Sequence, residues 1–332
     1  MRIGLILAIV LGVIALGAKA NPEFWKGEGW KTDFSRTVVD LSEIMSGGPG
    51  RDGIPPIDDP HFVAAAKADY NTREPVIAFG LGDDRRAYPL AVLIWHEIVN
   101  DTVDGKPVAI TYCPLCDSSI VFDRSVDGRA LRFGTTGKLR FSDLVMWDDA
   151  TESWWQQFTG RALVGAFAGR QLTVLPSRVE AFGLFRAAHP QGKVLVPHDE
   201  NRRAYGANPY IGYDRAAWPL LYRGEAPDGL PALARVVRVG ERAWTLDLLR
   251  ARGRIETRDG LVLTWTPGQA TALGNRTIAK GADIGNVLVR RNGAAAIFNV
   301  TFAFAFHAFV PKGVIFADCA GGRHTTAPVR CF

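Results

Sequence analysis

Sulfur and imidazole are scarce in this chain. Its 332 residues include four cysteines, three methionines and six histidines. A centre built from soft or nitrogen ligands therefore has few places to be. There is no G-x-S-x-G elbow, no phosphate-binding loop ending in G-K-[ST], and no H-E-x-x-H helix. Those absences remove the commonest signatures of serine hydrolases, P-loop nucleotidases and zinc proteases. The glycine-rich stretches 46–50 and 133–137 lack the strand-to-helix setting of a nucleotide site. Basic residues are scattered among Asp and Glu, which argues against a nucleic-acid partner. Beyond residue 20 no apolar run is long enough to span a membrane. The nearest, 294–310, is interrupted by Asn299, Thr301 and His307.

What is present reads as a folded protein. The chain is 47% hydrophobic and 22% charged, with 35 Gly and 19 Pro favouring turns and short strands over long helices. Residues 1–20 have the form of a secretory signal: Arg2, the apolar run 3–16, and Ala18-Lys19-Ala20 as a cleavage site that places the mature start at Asn21. An uncleaved anchor is the alternative. Without Arg2 and Lys19 the chain has 37 basic and 34 acidic residues, a formal charge of +3. The expected location is periplasmic or extracellular.

The patterns predict a mainly β (α+β) fold of hairpins and meanders with a few short helices. Strands are expected over 37–41, 76–81, 86–88, 107–112, 120–124, 130–133, 143–148, 153–158 and 171–175. Turns are expected at Gly82, Asp104-Gly105 and Asp127-Gly128. Helices are expected over 61–68, 90–99 and 176–189. After a Tyr- and Pro-rich connector the pattern restarts. Val236–Val239, Gly240 and Ala243–Leu246 copy the 79–90 region. Asp259-Gly260 and Leu261–Trp265 copy Asp104-Gly105 and the strand after it, and Phe306–Gly313 copies Phe185–Gly192. The chain thus divides into a signal (1–20), an irregular segment (21–75), a first lobe (76–200), a connector (201–234), a related second lobe (235–316) and a tail (317–332).

The second copy lacks the residues that carry chemistry in the first. Cys113 and Cys116, in T-Y-C-P-L-C-D, stand three apart with Pro114 between, so both sulfurs can face one point. Such a pair can ligate Cu(I) or Zn²⁺, cycle between dithiol and disulfide, or form a bridge. A bridge closing so small a loop removes little unfolded-state entropy. His96, on the helix expected just before the cysteine strand, is the third candidate ligand, and Met146 is the fourth. Glu97 joins His96 as a candidate catalytic group. Asp117, Asp148 and Asp149 are weaker candidates for orienting ligands. His61, His189, His198, His307 and His324 read as caps, core or surface. Cys319 and Cys331 have the spacing of a disulfide tying down the tail. Trp154 and Trp155 are strand neighbours, so at most one can line a given cleft.

Five stretches together, D-G-I-P-P-I-D-D-P-H-F (52–62), A-Y-P-L-A-V-L-I-W-H-E-I-V-N-D (87–101), P-V-A-I-T-Y-C-P-L-C-D-S-S (107–119), F-D-R-S-V-D-G (122–128) and L-V-M-W-D-D-A-T-E-S-W-W-Q-Q-F-T-G (144–160), resemble an exported bacterial and archaeal family known as domain of unknown function 3179. The resemblance spans about residues 52–310. It implies a site around the His96-Glu97 and Cys113/Cys116 pairs without choosing its chemistry. Two departures stand out. Asp117 replaces a small residue, often Gly, and A-F-A-F-H-A-F-V-P replaces a Trp-rich run. The leading expectation is an exported soft-metal protein, copper ahead of zinc, with Cys113, Cys116, His96 and Met146 as ligands. The alternatives are a thiol–disulfide oxidoreductase, with Cys113 attacking and Cys116 resolving, and a non-catalytic binding or structural protein with a simple disulfide. Its partners would be a metal ion or a small-molecule or thiol substrate.

Overall fold

The computed structural model describes residues 22–318 and 328–332. The expected signal, Cys319 and His324 lie outside the described residues. Strands dominate, and none of the α-helices exceeds seven residues among those described. The fold is mainly β. No helix among the described residues is long and apolar enough to cross a membrane.

Two halves follow one plan. In the first, Pro75–Leu81 and Asp84–Pro89 form a hairpin, a single helical turn follows at Leu90–Leu93, and Ile98–Val103, Lys106–Cys113 and Ser118–Asp123 form a meander. Arg178–Ala181 then pairs antiparallel with Pro75–Leu81. The helix Phe182–Ala188 leads to Lys193–Val196, parallel to Asp84–Pro89. In the second half the hairpin is Arg235–Val239 with Arg242–Thr245, the helix Leu246–Arg252, and the meander Arg254–Glu256, Leu261–Thr266 and Asn286–Arg291. Asn299–Phe302 pairs back on the hairpin, and Ala303–Phe309 leads to Val314–Ala317, parallel to Arg242–Thr245. The turns recur too, with positive φ at Asp127-Gly128 after the first meander and at Asn292-Gly293 after the second, where Asp, Asn and Gly tolerate a conformation that other side chains resist.

One insertion separates the halves. Where the second half passes directly from Ala294–Ala295 to Asn299–Phe302, the first inserts the strands Phe133–Arg140, Asp143–Asp148, Trp154–Gln156 and Ala162–Val164, edged by Ile44–Ser46. Its two faces have different cores. Trp154 packs with Trp25, Trp30 and Phe34 at centroid separations of 4.9, 5.2 and 5.1 Å, while Trp155 faces the main core with Phe133 and Met146. Neither tryptophan lines an open cleft, since both are fully buried. The main core runs through both halves, from Ile77 and Ile110 to Val236 and Phe302.

Several local expectations are corrected. The 90–99 segment makes one helical turn, because Glu97 takes φ +59 and Ile98 enters the sheet opposite Thr111. Ile98 and Val99 are β-branched, and cross-strand pairing outweighs the helical spacing of their apolar neighbours. His61–Ala64 is an edge strand rather than a helix, pairing with Lys193–Val196. Residues 37–41 contribute one isolated bridge, Thr37 to Val164, and the strand comes later, at Ile44–Ser46. The 176–189 helix starts only at Phe182, after Arg178–Ala181 has paired.

Glu74, beside the first hairpin, has a buried Oε2 with no hydrogen-bond partner among the described residues. Burial, reinforced by Asp69, pushes its carboxyl from an ordinary 4.5 up to about 7. The folded state therefore holds this proton up to about pH 7, whereas the unfolded chain releases it above about 4.5. Stability should fall as pH rises through that window. Glu74→Gln is expected to flatten this dependence and to stabilise the protein at pH 8 by roughly 2–3 kcal/mol, measured by urea unfolding across pH. An unchanged pH profile would show that Glu74 ionises normally.

Candidate metal centre

The strand Lys106–Cys113 carries the continuous apolar run V-A-I-T-Y-C, and Val108–Cys113 are buried. That pattern suits a strand covered on both faces. It delivers Cys113 opposite Ser118, and the chain turns back through Pro114, Leu115, Cys116 and Asp117. Asp117 closes the turn with φ +49, which explains why a small residue is expected there: Gly takes this conformation without strain, and Asp is among the few others that do. Here Asp117 also does what Gly cannot. Its Oδ2 accepts from Arg235 Nε at 2.7 Å and its Oδ1 from the Tyr112 hydroxyl at 3.1 Å. Arg235 in turn donates to Thr271 Oγ1 at 2.7 Å and pairs with Asp214 at 3.5 Å.

The cysteine turn is gripped from the second half and from the connector before it. The Cys116 carbonyl accepts from Phe302 N at 3.0 Å and from Thr301 Oγ1 at 2.7 Å. The Leu115 carbonyl accepts from the Tyr213 hydroxyl at 2.9 Å, and Asn299 Nδ2 donates to Ser118 Oγ at 2.8 Å.

The two sulfurs are unbridged and buried. Facing them is the inserted sheet's hairpin turn, Phe141-Ser142, with φ +52 and +64. Neither is Gly or Asn, so the turn carries backbone strain; Ser142 Oγ helps to hold it, donating to the Leu220 carbonyl at 2.5 Å. The turn aims the Ser142 carbonyl at both thiols, 3.8 Å from Cys113 Sγ and 3.6 Å from Cys116 Sγ. The next residue, Asp143, completes a cluster in which both sulfurs and a carboxylate oxygen lie within 4.8 Å of one another. Asp143 is fully buried. Its Oδ1 accepts from Gln156 Nε2 at 2.6 Å and Phe158 N at 2.9 Å, while no N–H or O–H donor among the described residues reaches Oδ2.

Burial dominates the electrostatics. It raises the Cys113 thiol, pushes Cys116 well above its ordinary value, and lifts Asp143 to about 7. Glu97, also buried, rises to about 8 through burial and then the Asp143 charge. Without a cation the two thiols and Glu97 hold their protons at neutral pH. A bound divalent ion would reverse that order by stabilising the anions.

His96 does not join the cluster. Its Nδ1 donates to the Pro55 carbonyl at 2.7 Å, and the Tyr205 hydroxyl lies 2.7 Å from its Nε2. Burial lowers its pKa, so the ring is neutral and both nitrogens are engaged. Met146 stands three residues beyond Asp143 on one strand, turned by strand alternation to the opposite face, in the apolar core. Asp148 and Asp149 serve turns instead. The first accepts from Thr151 N and Trp155 Nε1, the second from Arg132 N. Cys331 is disulfide-bonded. Asp143 is the residue that sequence reasoning missed, and its signal was a carboxylate opening a strand, D-L-V-M-W-D, that is otherwise almost wholly apolar.

The model of the family described as "Protein of unknown function (DUF3179)" matches residues 51–313. The chain belongs to this family. The match runs from before the first hairpin to just past the second half's last helix and includes the inserted sheet. No curated protein and no solved structure matches the chain.

Proposed function

We propose that this DUF3179 protein holds a metal ion between Cys113, Cys116 and Asp143, with Glu97 as the candidate for a fourth position. The observation that carries the reading is the pair of unbridged, buried thiols beside a buried carboxylate oxygen that no N–H or O–H donor reaches among the described residues. Buried polar atoms are ordinarily satisfied, and a cation would satisfy this one. With a carboxylate as third donor instead of His96 or Met146, the set moves from soft towards borderline, which favours Zn²⁺ over Cu(I). The ligand side chains are shut off from solvent, and a closed site suits a structural ion better than a catalytic one, which keeps a position open. The ion would clamp the first half to its insertion, at a turn the second half already grips. If residues 1–20 direct export, coordination would also protect the thiols in an oxidising compartment.

The same burial weighs against thiol–disulfide exchange, which needs an accessible thiolate. Metal analysis of protein purified under reducing conditions tests the proposal. One equivalent of zinc is expected in the wild type and none at this centre in the Cys113→Ser/Cys116→Ser variant. Wild-type protein that neither retains an ion nor takes one up stoichiometrically would end the idea.

A further inference from the structure

His96 points away from the cysteines, into a different part of the molecule. His96 and Tyr205 form one wall of a surface pocket of about 180 Å³, which Asp58, Asp59, His198 and Asp199 also line. Two of its lining residues, Asp59 and His198, also belong to a second cluster of potential ligands. One atom each of Asp59, His61 and His198 falls within 4.8 Å of the others, and all three residues are exposed.

Sheet register brings them together. His61 opens the edge strand and pairs with Val196 on the neighbouring strand. Asp59 lies two residues before His61 and His198 two beyond Val196, so a two-residue period puts all three on one side of the sheet's end. His61 Nε2 is 3.8 Å and His198 Nε2 is 3.9 Å from Asp59 Oδ2, and the imidazole rings are 3.3 Å apart between centroids. An ion with bonds of about 2.0–2.2 Å to such ligands would need them to close by only a fraction of an ångström. His198 Nε2 also donates to the Asp59 carbonyl at 2.5 Å. To ligate through that nitrogen, the ring must move its proton to Nδ1 and give up this bond.

We propose that Asp59, His61 and His198 form a second metal site, for a first-row divalent ion of the Zn²⁺ class. Two imidazoles and one carboxylate suit such ions and leave coordination positions free. Those positions would open on the pocket, whose wall carries the neutral His96 ring and the Tyr205 hydroxyl. The two proposed sites therefore differ in kind: the cysteine centre is closed and sulfur-rich, and this one is open and sulfur-free.

The difference makes them separable. Zinc titration of the metal-free protein against a chromogenic chelator is expected to show one rapidly exchanging equivalent that His61→Ala/His198→Ala abolishes and Cys113→Ser/Cys116→Ser leaves in place. With Co²⁺, that equivalent should develop ligand-field absorption without sulfur-to-cobalt charge transfer. An exchanging equivalent that survives loss of both histidines would overturn the proposal, as would its absence from wild-type protein. Failure at the cysteine centre would register separately, as loss of the slowly exchanging, sulfur-ligated ion. The histidines sit at an exposed strand end, so their removal is not expected to unfold the chain, and circular dichroism of the variant checks this.

Discussion

Arg235→Met is expected to lower the free energy of unfolding by about 3–5 kcal/mol, the usual result of removing one member of a buried ion pair. Only 10% of the Arg235 side chain is exposed, with 11% of Asp117 and 6% of Asp214. The substitution keeps most of the apolar volume over Phe302, which Arg235 covers at 5.2 Å. The loss would therefore come from two stranded carboxylates rather than from a cavity. Urea unfolding of Arg235→Met and Arg235→Lys measures it. Lysine keeps the charge but cannot reproduce the fork that reaches Asp117 and Thr271 at once, so it should fall between the wild type and methionine. A methionine variant within about 1 kcal/mol of wild type would mean that the network is solvated and contributes little.

Asp143→Asn should separate metal affinity from apo stability. Asparagine has the shape of the carboxyl and can still accept from Gln156 and Phe158, so the metal-free fold should lose less than about 1 kcal/mol. Its affinity for zinc should drop by more than the roughly 10–100-fold that changes beyond the direct ligands cost. Chelator competition reads the second quantity and urea unfolding of metal-free protein the first. Unaltered affinity would remove Asp143 from the ligand set and leave the thiols without their proposed third donor.

The strands that carry the first half were readable because their signals are local. Asp104-Gly105 and Asp127-Gly128 mark hairpins, and continuous apolar runs mark buried strands. The likeness of the two halves was visible for the same reason, since turns and apolar positions recur in order. The site was half visible. The cysteines announce themselves by spacing, but their third partner comes from an inserted sheet reached through the Phe141-Ser142 turn, and that turn has none of the Gly or Asn that usually marks such geometry. His96 was misplaced because its partners, Pro55 and Tyr205, lie 41 positions before and 109 positions after it in irregular segments. Periodicity is silent about such contacts. The His61–His198 pairing depends on strand register, and a helix expected over 61–68 hid it.

The grip of Thr301 and Phe302 on the Cys116 carbonyl also fixes an order of events in time. Thr301 is made 185 residues after Cys116, a delay of roughly 10–40 s at ordinary elongation rates of about 5–20 residues per second. Through that interval the nascent thiols have no cover from the second half. An ion bound as proposed would have its easiest entry then. Afterwards its escape would require the two halves to part, so the residence time of the metal would be set by the unfolding rate of the protein rather than by the exchange chemistry of its ligands.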